Sequence, residues 1–114
     1  MSYQGFLRLL TDVTECDDFD SYVAEVGGSV PPDIDDARII KLLTDIWAYG
    51  QARTVEALRS ITGLSRAEFA RSYRLPLRTL ENWEAEGANA RNAPPYMRDL
   101  LAYAVIVGQG LWAP

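Results

Sequence analysis

Pro76 limits this chain more than any other residue. From Ser65 to Ala85 the apolar positions fall at helical spacing, yet a proline stands in the middle: SRAEFARSYRLPLRTLENWEA. Proline has no amide hydrogen to donate, and its ring collides with the preceding turn, so one continuous helix is ruled out. It is well suited to the first turn of a new helix. The stretch therefore predicts two short helices around a tight break. Ser65 and Glu68 stand at capping-box spacing, in which each side chain takes the other residue's free amide. The first helix then turns Phe69, Ala70 and Tyr73 toward a core. The second runs from about Leu77 to Ala85, with Leu80 and Trp83 as its inward anchors and Arg78, Glu81 and Asn82 pointing away.

The flanks are helical as well. Phe6, Leu9, Leu10 and Val13 predict an amphipathic helix over residues 2–14. Phe19, Tyr22, Val23 and Val26 predict another over Asp18–Val26, stopped by Gly27-Gly28, with Pro31-Pro32 in a connector. Asp35 or Asp36 caps a third, which runs to about Tyr49 with Ile39, Ile40, Leu42, Leu43, Ile46 and Trp47 apolar and Gly50 at its end. Thr54 caps Val55–Thr62, and Gly63 ends it. A last helix, Tyr96–Val107, opens at Pro94 or Pro95 and turns Met97, Leu100, Leu101, Ala104 and Val105 inward; AVIVGQGLW can be extended at its end. The expected fold class is all-α, a compact helical bundle. Residues 1–36 form an acidic helical extension and residues 37–114 carry the two-helix motif at 65–85, together one compact domain.

Composition narrows the function. Histidine is absent, and Cys16 is the single cysteine. That removes disulfides, cysteine–histidine zinc sites and the usual general base near neutral pH. CDDFD, at Cys16–Asp20, lacks the central glycine and distal glutamate of a calcium loop. No catalytic residue, metal or cofactor is expected, and the chain is read as a non-enzyme. MSYQGFLRLL has no basic leader region, and the apolar Leu100–Trp112 stretch is too short to span a bilayer, so a cytoplasmic protein without membrane contact is expected. Charge is uneven. Residues 1–36 hold one basic and nine acidic residues, net −8, whereas residues 37–114 hold ten basic and seven acidic, net +3.

Two short helices joined by a tight turn among other helices make a helix-turn-helix, whose second helix enters a DNA major groove. Gly63-Leu64-Ser65-Arg66-Ala67-Glu68-Phe69-Ala70, Leu75-Pro76 and Arg78-Thr79-Leu80 with Trp83-Glu84 carry a family likeness. Over about Thr54–Val105 the chain resembles the phage-repressor-like (Xre-like, lambda-repressor-like) helix-turn-helix domains of bacteria and their phages. The resemblance implies a DNA-binding transcriptional regulator, often a homodimer on double-stranded DNA. It implies that Leu77, Arg78 and Asn82 meet bases, that Arg66 meets a phosphate or a base edge, and that Thr79 meets a phosphate or a thymine methyl. Arg71 and Arg74 lie near Arg66 and are candidates for phosphate contact. Arginine pairs with guanine and asparagine with adenine.

Two features depart from that family's pattern. The loop after the second helix, AEGANARNAPP, has Arg91 as its single basic residue, and the net charge is −5. They motivate an alternative, a non-catalytic protein-binding module of a mobile element. Such an antitoxin, or inhibitor of a nucleic-acid-binding enzyme, would use Asp17, Asp18 and Asp20 against a basic partner. Ile106, Val107, Leu111 and Trp112 are candidates for self-association.

Overall fold

Five of the helices open where a short polar side chain takes a free backbone amide, the requirement that every helix start imposes. Ser2 accepts from Gly5 at the head of α1 (Tyr3–Val13), and Asp18 from Ser21 at the head of α2 (Phe19–Val26). Asp35 caps α3 (Asp36–Ala52), Thr54 caps α4 (Val55–Thr62) and Ser65 caps α5 (Arg66–Ser72). Two more helices, α6 (Leu77–Glu84) and α7 (Pro95–Trp112), complete an all-α fold. The computed structural model describes residues 1–29, 35–85 and 93–112, and no strand occurs among them. The Pro31-Pro32 connector, Arg91 and most of the 86–93 loop lie outside the described residues.

The core joins all seven helices. Phe6, Leu9, Leu10 and Val13 of α1 are buried with Tyr22 and Val26 of α2, and with Leu43, Ile46 and Tyr49 of α3. Val55, Leu58, Phe69, Ala70, Leu80, Ala102, Val105 and Ile106 continue the same cluster. Trp47 receives Phe19 and Tyr22 at ring separations of 6.1 and 5.3 Å, which seats α2 on α3. The Tyr22 hydroxyl donates to the Leu9 carbonyl at 2.8 Å, tying α2 to α1 as well. Tyr103 of α7 meets Tyr3 and Phe6 edge-on at 5.4 and 5.5 Å, and its hydroxyl donates to the Met1 carbonyl. Thus α1 packs on α3 and α7 and α2 on α1 and α3, whereas α5 and α6 pack on α4 and on each other.

Several sequence expectations are corrected. The second helix does end at Val26, with Gly27 as its C-cap as the sequence places it, but the chain continues as a 3-10 turn over Gly27–Ser29. Helix α3 does not end at Gly50. It runs through it to Ala52 and closes on Arg53, whose φ of 53° is left-handed. Gly50 serves the packing instead: a Cβ there would lie 2.7–2.9 Å from Val13 side-chain atoms, so the missing side chain lets α1 approach α3. Ile40 is exposed rather than inward.

Helix α7 remains helical past Val107, and its inward face differs from the expected one. Met97, Leu100 and Ala104 are exposed, while Val105 is buried as expected and Ala102 and Ile106 are buried beside it. Ile106 and Val107 are therefore core residues and not a surface for self-association. The rotation follows from Asp99, which accepts from the buried Tyr49 hydroxyl at 2.8 Å and lies 4.0 Å from Arg53. LLAYAVIV is apolar all round, so this polar contact decides which side faces in.

Gly50→Ala should destabilise the fold by about 1–3 kcal/mol in urea denaturation, because overpacking outweighs alanine's better helix propensity. In a Val13→Ala background the same substitution should become neutral or stabilising.

Candidate functional site

The segment after Gly63 is built from local signals. Gly63 takes a left-handed φ of 72° and ends α4. Ser65 then opens α5 with both capping-box bonds present: the Glu68 amide donates to Ser65 Oγ at 3.2 Å, and the Ser65 amide donates to Glu68 Oε1 at 3.3 Å. The hydrogen bonds from Ser65 hold the Glu68 carboxyl below its ordinary value. Past Ser72 the chain closes as a Schellman motif. The Leu75 amide donates to the Ala70 carbonyl at 2.8 Å, and Arg74 sits at a left-handed φ of 56°, where glycine is usual. Pro76 follows as the N-cap residue of α6, not as its first helical residue, and supplies no side-chain cap.

Helix α6 has two chemically distinct faces. Leu80 is fully buried and Trp83 partly so. Arg78, Glu81 and Asn82 are exposed on the other side, and Leu77, in the first turn, is exposed at 43% of its free surface. Thr79 is half-buried, so it is less available than the arginines. On α5, Phe69 and Ala70 are buried, and Arg66 and Arg71 are exposed, as is Arg74 in the turn. Among the residues read from sequence as possible protein contacts, Asp17, Asp18 and Asp20 are exposed at the start of α2. Asp18 is occupied as the cap, accepting from the Ser21 amide at 2.7 Å, which lowers its pKa.

The group that orients α6 carried no assigned role in the sequence reading. Glu84, at the end of α6, has a fully buried side chain. Arg59 of α4 grips it: Nε donates to Oε1 and Oε2 at 3.1 and 3.0 Å, and Nη2 donates to Oε1 at 2.8 Å. Arg59 Nη1 also donates to the Leu64 carbonyl at 3.2 Å, in the connector between α4 and α5. The hydrogen bonds to Glu84 raise the Arg59 pKa further above its already high value. Arg66 donates through Nε to Glu84 Oε1 at 3.3 Å. One carboxylate therefore binds α4, the α4–α5 connector, α5 and α6 together. The available sequence signal was register: Leu77, Leu80 and Glu84 share one helical face, and Arg59 stands four residues after the buried Val55.

Compared with protein-family models, curated proteins and solved structures, the chain matches none.

Glu84→Ala should cost about 3–5 kcal/mol of stability, because it strands buried guanidinium charge. Replacing both partners, Arg59→Met with Glu84→Leu, should recover most of that loss in urea denaturation. A second expectation concerns pH. The folded Glu68 carboxyl titrates below its unfolded value near 4.5, so its stabilisation is complete above that value. It is lost as pH falls through the folded value. Glu68→Gln should remove this contribution, leaving a shallower acid limb in a pH series of thermal melts.

Proposed function

We propose that the chain is a sequence-specific DNA-binding transcriptional regulator of the repressor type. In this reading α5 and α6 are a helix-turn-helix of the lambda-repressor-like kind, and α6 enters the major groove. The observation that carries it is the two-faced α6. Its inner side is held by Leu80 and the buried Glu84, and its outer side offers Arg78, Glu81 and Asn82 to solvent, with Leu77 exposed at the start of the helix. A short helix whose outer residues are a hydrogen-bonding arginine and asparagine suits base-edge recognition.

Charge placement supports the same reading. Asp12, Asp20 and Glu25 ride on α1 and α2, which pack against α3, whereas Arg66, Arg71, Arg74 and Arg78 belong to α5, α6 and the turn between them, which pack on α4. A net charge of −5 thus leaves an arginine-bearing edge that phosphates can approach. Small readers of this type gain affinity by pairing two half-sites, so the working species is proposed to be a homodimer on a pseudo-palindromic site.

The test is selection from a randomised pool of labelled duplexes at low and moderate salt, followed by sequencing of the bound fraction. An enriched motif with affinity falling as salt rises is expected. No enrichment would sink the proposal and direct attention to the acidic α1–α2 end as a protein-binding surface. Arg78→Ala should cost about 1–3 kcal/mol of discrimination at one base position. It should leave the thermal midpoint unchanged, since the side chain is exposed.

A further inference from the structure

We infer that Glu84 is a positioning residue that holds Arg66 ready for a backbone phosphate of a bound duplex, an inference that rests on the DNA-binding reading above. The first argument is charge. Glu84 provides a single negative charge, and two guanidinium groups, those of Arg59 and Arg66, contact it. Arg59 takes both carboxylate oxygens and is mostly covered, its side chain 21% exposed. Arg66 is held at one point, through Nε, and its side chain is 53% exposed. The cluster is thus one positive charge in excess, and Arg66 is the more exposed of its two arginines.

The second argument is entropy. A free arginine loses rotamer freedom when it grips a phosphate. Arg66 is already tethered by a carboxylate that is itself fixed by Arg59. Its Nε is spent on the tether, which leaves the Nη groups as the fork that meets phosphate oxygens. Lysine cannot reproduce this, because its ammonium is a single point of charge that must serve either Glu84 or the phosphate.

The experiment measures binding to the enriched duplex, across a salt series, for wild type, Arg66→Ala and Arg66→Lys, with thermal melts to verify folding. Arg66→Ala should reduce the slope of log affinity against log salt by about 0.9, the signature of one lost phosphate contact. Arg66→Lys should keep the slope yet bind about 2- to 13-fold more weakly, the cost of ordering one free side chain. In a Glu84→Gln background the difference between Arg and Lys at position 66 should vanish. An unchanged slope for Arg66→Ala would overturn the inference. So would wild-type affinity for Arg66→Lys, or an Arg–Lys difference that persists in the Glu84→Gln background. If Glu84→Gln does not fold, the two Arg66 variants decide. Failure of the wild type to enrich any sequence is a different result: it removes the DNA-binding reading itself.

Discussion

The buried carboxylate of Glu84 is the contact on which the geometry of α6 depends. That helix has eight residues, of which Leu80 is the single apolar one fully buried. So little apolar surface can hold a helix against a core but cannot fix its rotation, because hydrophobic contact is non-directional. The forked hydrogen bonds from Arg59 are directional, and they fix where α6 lies relative to α4. A buried ion pair adds little net stability over a well-packed apolar pair. Its contribution here is orientation, and the orientation turns Arg78 and Asn82 outward.

The rest of the molecule separates charges. Tyr22, Trp47 and the close Val13–Gly50 contact seat α1 and α2 on one side of α3. Tyr49 and Asp99 lock α7 to α3, and α4 bridges from there to α5 and α6. The acidic residues from Glu15 to Glu25 and the arginines of α5 and α6 are thereby attached to different parts of the framework. Averaged over the chain the charge is negative, but an approaching polyanion responds to the local field and not to the average.

How much of this was legible in sequence depended on how local each cause was. The capping box at Ser65 and Glu68, the break at Pro76 and the glycine stop at Gly63 act within a few residues, and each appears where the sequence placed it. The misreadings share one feature. Gly50 looked like a helix end because its neighbourhood ends a helical pattern, but its purpose is the approach of Val13 from another helix. Helix α7 looked inward at Leu100 because it is apolar on every side, and the choice of face was made by Tyr49, fifty residues away.

By itself, then, the sequence determined an all-α chain, the starts of its capped helices, the division at Pro76 and the uneven distribution of charge. Capping, proline geometry and helical periodicity are short-range effects, so a string of residues contains them in full. Tertiary structure alone decided the rotation of α7, the passage of α3 through Gly50 and the union of Arg59, Arg66 and Glu84. Each of those depends on groups brought together by packing. A charge at a core-facing register shows that a partner is needed, and only the folded chain shows which residue supplies it.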